Sequence, residues 1–323
     1  MKLKRLSSIF KPNQFQGWGR KKTYFEGWYY KLVSEAEDHA LAIIPGIAIE
    51  SPENHHAFIQ VLNGKDKTAE YHKFELDAFW ASSKEFSVSI GNNKFNDHLI
   101  QLDLPNLSGK LQLKGNVLWP NKWYSPGIMG PFSFVPFMEC YHGIVSMNNI
   151  LQGSFQMSGK ELSFTGGRGY IEKDWGKSFP SAYIWMQSNH FNSLGASFKL
   201  SVAKIPWLGS SFVGFISGIW INNQIIRFTT YNRSRLEKCE VTNTEVNICL
   251  SNPRYKLEVS ASRTESTELA SPINGLMDGK ISESMTSEIY VKLTNKKHGK
   301  VEFEAKGRNA GVEVAGNISE LVI

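Results

Sequence analysis

Period-two alternation of apolar and polar residues, interrupted at short intervals by tight-turn pairs, is the feature that most restricts what this chain can fold into. Phe86, Val88 and Ile90 alternate with serines, and Phe198, Leu200 and Val202 alternate with Lys and Ser. Tyr255, Leu257 and Val259 repeat the pattern, as do Ile289, Val291 and Leu293. Successive side chains of a strand point to opposite faces, so such runs predict half-buried antiparallel strands. Asn63-Gly64, Ser158-Gly159 and Asn222-Asn223 supply turns between them. No stretch beyond a turn or two shows a 3.6-residue period. The expected class is therefore all-β, with many short strands in series as barrels or sandwiches.

A faint internal duplication divides the chain. Phe25-Glu-Gly-Trp-Tyr-Tyr leads through a polar turn into Ala40-Leu-Ala-Ile-Ile-Pro. Tyr183-Ile-Trp-Met-Gln leads through a turn near Asn192 to Gly195 into a run that also ends in Ile-Pro. Pairing Trp28 with Trp185 predicts two similar β domains, residues 1–160 and 161–323. The uncharged run Ile205 to Ile221 is too short and too rich in glycine to span a membrane as a helix. It reads instead as a strand returning through Asn222-Asn223.

Net charge is +6, but the basic residues are scattered, apart from Lys2-Lys4-Arg5 and Arg20-Lys21-Lys22 near the N-terminus. No nucleic-acid-binding module accompanies them, so no nucleic-acid partner is expected. Three cysteines without ligand spacing and an N-terminus without an apolar core segment imply a cytoplasmic protein. Contact with a membrane would be peripheral, through the basic N-terminus or the Pro-rich stretch Trp119 to Phe137. That stretch is a lid, a lipid-facing patch or a plug over the core.

Two aromatic segments each surround a glutamate. On a strand over Phe25 to Lys31, Glu26 shares a face with Trp28 and Tyr30. Such a carboxyl is either desolvated and able to hold a proton, as a general acid must, or tied to backbone at a strand end. In Tyr170-Ile-Glu-Lys-Asp-Trp-Gly, Glu172 and Asp174 share one parity, and Lys173 and Trp175 the other. The two carboxylates either face one cavity and perturb each other or form a salt-bridge cluster with Lys173. Next, Tyr183, Trp185, Gln187 and Asn189 offer an apolar wall with amide donors. The eight histidines show no metal-ligand spacing, His142 and His190 standing alone, so no metal is expected. No nucleotide or dinucleotide motif is present.

At Phe25 to Tyr29, at Glu172-Lys-Asp-Trp-Gly176, at Phe179-Pro180 and at Trp185, Gln187 and Asn189, the chain resembles the tocopherol cyclase family. Fainter likeness runs from about Phe15 to Gly316. The resemblance implies two lipocalin-like (calycin) antiparallel β halves and acid-catalysed closure of a prenylated hydroquinone to a chromanol, as in vitamin E biosynthesis, without a cofactor. It implies Glu172 and Glu26 as catalytic carboxyls, Glu172 the proton donor. Trp28, Tyr30, Lys173, Trp175, Trp185, Gln187 and Asn189 would contact an apolar prenylquinol or terpenoid. Asp174 departs from the family, whose plant members carry Asn there, so no essential role is expected of it. A carrier that binds an apolar ligand without turnover is the reading from another class, and alkene hydration the enzymatic alternative.

Overall fold

The computed structural model describes residues 8–192 and 195–322; the Lys2-Lys4-Arg5 cluster lies outside them. Among the described residues, helix is confined to three short 3-10 turns, and long antiparallel strands form two sheets. The expected all-β class is what the structure has. No helix among these residues is long and apolar enough to cross a membrane.

The chain forms two compact units, Met1–Phe179 with Leu269–Lys280, and Pro180–Glu268 with Ile281–Ile323. The main division falls later than residue 160 because the strand Arg168–Gly176 does not begin a new sheet. It inserts antiparallel between Tyr24–Val33 and Cys140–Met157.

In the first unit Thr68–Phe74, His55–Asn63, Ala40–Ile49 and Tyr24–Val33 run as a meander up to Arg168–Gly176. Beyond that strand lie Cys140–Met157, Leu107–Lys114 and four shorter strands ending at Phe79–Ala81. The sheet curls, since Ile59 and Val61 near one edge join Phe86, Val88 and Ile90 near the other in one apolar cluster. Trp28, Tyr30 and Leu32 supply the central strand's share of that core. Tyr24–Val33 departs from half-buried alternation, because Phe25, Tyr29 and Lys31 on its opposite face are buried as well.

The second unit repeats the plan. Ala182–Ser188, Ser197–Trp207, Ser210–Ile221 and Gln224–Thr229 form the meander, and Lys300–Gly316 lies against its first strand. Ile184, Met186, Leu200, Val202 and Val312 face its core. The duplication thus holds at the level of topology. It does not hold for the tryptophans: Trp28 enters its core cluster, whereas Trp185 lies across from Ser201 and Glu313 on the face opposite its core.

The turn pairs behave as their chemistry requires. Ser158-Gly159 (φ 50° and 80°) and Asn222-Asn223 (φ 49° and 59°) both adopt left-handed backbone, which matches the twist of the strands they join. Leu208-Gly209 (φ 46° and 81°) makes a further such turn, so the apolar run 205–221 is parts of two strands. Gly176 carries a constraint of its own. Its φ is 153°, and a Cβ there would lie 2.2 Å from the carbonyl oxygen of Glu139. Gly176→Ala should destabilise the fold by about 1–3 kcal/mol, read as a lower urea midpoint at unchanged m-value.

Candidate functional site

Residues paired directly across antiparallel strands project to the same face, so register decides which side chains can meet. Glu172 lies opposite Tyr29 on one neighbour and Ile144 on the other. Asp174 lies opposite Gly27 and His142. Glu26 instead lies opposite Trp175, and Trp28 opposite Lys173. The two glutamates that the sequence reading joined therefore occupy opposite faces of the sheet.

On the core face, Glu26 is fully buried and its oxygens are occupied. One or both accept from the backbone N–H of Gln16 (2.9 and 3.1 Å), from that of Gly17 (2.9 Å) and from the Tyr24 hydroxyl (2.5 Å). Lys173 Nζ lies 2.6 Å away and also donates to the carbonyls of Pro12 (3.1 Å) and Gln14. The ammonium sits over the rings of Trp28 and Trp175, 4.9 and 4.5 Å from their centroids. Burial pushes Lys173 down to about 8, while Glu26 beside it resists the shift. Trp28 donates to the Asn13 carbonyl at 3.0 Å and stacks on Phe86. Tyr30 donates to the Asn96 carbonyl, and Trp175 stacks on Tyr141. Of the two possibilities for Glu26, the backbone tie is the one realised. Glu26, Lys173 and Trp28 clamp segment 12–17, Tyr30 and Trp175 pack beside them, and the polar atoms of Glu26, Lys173, Trp28 and Tyr30 have partners within the protein.

The opposite face carries a different set. Tyr170 donates to Glu172 Oε2 at 2.5 Å. Burial and the neighbouring Glu172 hold the Tyr170 phenol well above its ordinary range, so it keeps the proton it donates. His142 Nδ1 lies 2.7 Å from Asp174 Oδ1, and its Nε2 lies 3.5 Å from Glu172 Oε2. The His142 ring is 11% exposed, and its buried Nε2 makes no hydrogen bond among the described residues. Asp174 therefore fixes Nδ1 as the protonated nitrogen and leaves Nε2 turned towards Glu172. Cys140 Sγ lies 3.9 Å from Asp174 Oδ1, and burial, then Asp174, raise its thiol well above the usual value. Asp174, His142, Glu172 and Tyr170 thus form one polar row, in which His142 Nε2 and Glu172 Oε2 are the facing pair.

His142 was missed in the sequence because its partner Asp174 lies 32 residues away on another strand. The parity shared by Glu172 and Asp174 was visible; the strand that faces them was not. The ligand atoms of His142, Glu172 and Asp174 lie within 4.8 Å of one another. The hydrogen bond of Nδ1 to Asp174 Oδ1 leaves Nε2 as the imidazole atom that could meet a cation beside the two carboxyls.

Trp185, Gln187 and Asn189 belong to the second unit and are buried there. Gly311 makes room for the Trp185 ring, since a Cβ would approach it to 2.5 Å. Tyr183 on the same strand donates to Glu313 at 2.8 Å. An apolar cleft of about 610 Å³ opens elsewhere on the first unit, lined by Phe15, Trp18, Phe79, Trp80 and residues 81–84. No carboxyl lines it.

The tocopherol cyclase-like family model matches residues 106–316, more than half of the chain. Comparison with curated proteins gives no match. The crystal structure of CghA with Sch210972 superposes with a TM-score of 0.56 at 10% identity, over 91% of this chain and 89% of that one. A putative AttH from Nitrosomonas europaea gives 0.54 at 11% identity, over 90% and 92%. Kievitone hydratase from Nectria haematococca gives 0.51 at 11% identity, over 92% and 89%. At such identities the likeness is one of fold.

Proposed function

The chain belongs to the tocopherol cyclase-like family, and from that premise we propose that it is an acid–base enzyme that closes a prenylated hydroquinone, or a related terpenoid, onto its own double bond. The observation that carries this reading is the buried His142–Glu172 pair, in which an imidazole nitrogen faces a carboxyl oxygen at 3.5 Å without a hydrogen bond of its own. The pair shares one mobile proton. Glu172 delivers it to the less substituted carbon of a trisubstituted alkene, and a tertiary cation develops on the neighbouring carbon. A phenolic oxygen of the same molecule forms the new C–O bond and releases its proton to the pair. The reaction is a net isomerisation, and the pair ends as it began. Tyr170 steadies Glu172 through its hydrogen bond, and Asp174 holds the His142 tautomer.

Asp174→Asn keeps a carbonyl oxygen to accept from Nδ1–H and so keeps the tautomer. It should lower turnover by about tenfold or less, whereas His142→Ala should lower it by about 10²-fold. Steady-state rates on a prenylated hydroquinone, scored by chromanol formation, check both. A loss in Asp174→Asn equal to that in His142→Ala would mean that the negative charge, and not the tautomer, is what matters.

Two other readings have support. Kievitone hydratase shares the fold, and water in place of the phenolic oxygen would make the same site a hydratase. The cleft lined by Phe15, Trp18, Phe79 and Trp80 suits an apolar ligand and offers no acid, as a carrier would. A wild-type protein that binds prenylquinols without ever converting them would establish the carrier and remove the enzyme.

A further inference from the structure

The stretch between Leu107–Lys114 and Cys140–Met157 resolves the choice between plug and patch by doing both. Trp119 and Ile128 are buried, but Trp123 is 79% exposed and Phe137 83% exposed. Tyr124, Leu118 and Phe134 are exposed as well. These rings form part of a stitched surface rather than a loose loop. Phe134 packs edge-on against the exposed Phe10 at 5.8 Å, and Asn121 Nδ2 donates to the Phe10 carbonyl at 2.9 Å. Asn121 Oδ1 accepts from Gly127 N–H, and Ser133 Oγ donates to the Pro126 carbonyl. Phe137 is held at φ 67°, a conformation disfavoured for a bulky side chain, and its ring nevertheless stands in solvent.

Most of the charge near these rings in sequence is basic, with Glu139 two residues after Phe137 as the exception. Residues 116–138 contain Lys122 and no acidic residue, and residues 8–25 contain Lys11, Arg20, Lys21 and Lys22 and no acidic residue. Lys11 follows Phe10 directly, and Lys122 lies over the Tyr124 ring at 5.6 Å. Exposed Trp, Tyr and Phe beside lysines match the lipid–water interface, where rings enter the headgroup layer and ammonium groups meet phosphates.

We propose that this face, Phe10-Lys11 with Leu118 to Phe137, docks the protein on an anionic membrane surface. The seam reaches the strand that carries His142, on the face opposite its imidazole. Tyr141 donates to the Val135 carbonyl at 2.7 Å and stacks on Trp175, and His142 is the next residue. The docking does not rest on the proposed function.

Vesicle co-sedimentation tests the docking without any substrate. Phosphatidylcholine vesicles with and without about 30% phosphatidylglycerol should distinguish charge from ring insertion. Wild type should pellet with the anionic vesicles, more weakly with neutral ones, and less as salt rises. Trp123→Ala/Phe137→Ala should lose about tenfold or more in partitioning, and Lys11→Gln/Lys122→Gln should lose mainly the preference for anionic lipid. Leu208→Ala, at another exposed apolar residue (92% exposed), should bind as wild type. Because both rings are exposed, circular dichroism should show the ring variant folded. Wild type that stays in the supernatant, or a ring variant that pellets unchanged, overturns the proposal. So does a wild-type dimer in sedimentation velocity that the ring variant dissolves, since the face would then belong to a second copy of this chain. None of these outcomes alters the cyclisation assay, so docking and catalysis fail separately.

Discussion

Glu172→Gln should lower turnover of a prenylated hydroquinone by about 10²-fold or more, while affinity for the ligand stays within about threefold of wild type. The amide has the shape of the carboxyl and can still accept from the Tyr170 hydroxyl, which lies 2.5 Å from Glu172 Oε2. It cannot exchange a proton with His142 Nε2, 3.5 Å away. A fall in kcat at constant affinity is what the loss of an acid produces, because the proton moves only in the transition state. Equal losses in kcat and affinity would instead make Glu172 a residue that binds or positions the ligand.

The second large effect concerns stability. Lys173→Met removes the partner of a fully buried carboxylate and leaves Glu26 with its neutral donors alone. Breaking one side of a buried ion pair costs about 3–5 kcal/mol, a large part of the stability of an ordinary domain. It also frees the Pro12 and Gln14 carbonyls that hold the N-terminal segment against the sheet. Urea unfolding followed by circular dichroism should show the midpoint fall accordingly. The double variant Glu26→Gln/Lys173→Met should recover about 1–3 kcal/mol of that loss, because no uncompensated charge remains. A single variant that unfolds at the wild-type midpoint would show that this pair does not hold the segment.

Local pattern carried the strands and turns well, and contact between strands poorly. Alternation at Phe198 to Val202 and Tyr255 to Val259 marked real strands, because one face of each meets its core. Parity correctly separated Glu172 and Asp174 from Lys173 and Trp175. What parity could not supply was the register against neighbouring strands, which is a long-range property. It turned Glu26 to the face opposite Glu172 and brought His142 to Asp174. Cys140–Met157 was hard to see as a strand, since Gly143 to Asn149 is buried on both faces and shows no polar alternation. Glu26 looked like an acid because rings surround it in sequence. Its backbone donors lie in residues 16 and 17, a segment with no strand pattern to betray its place.

The central claim is that a proton from the His142–Glu172 pair enters the substrate at carbon. Turnover of a prenylated hydroquinone in D₂O, followed by product mass after back-exchange of hydroxyls in H₂O, tests it most directly. Both groups exchange with solvent, so each chromanol formed should retain one deuterium on carbon, next to the carbon that takes the ring oxygen. Glu172→Gln should form little chromanol by the same route. Chromanol from wild type with no deuterium on carbon, or labelled chromanol formed at an undiminished rate by Glu172→Gln, would contradict the account.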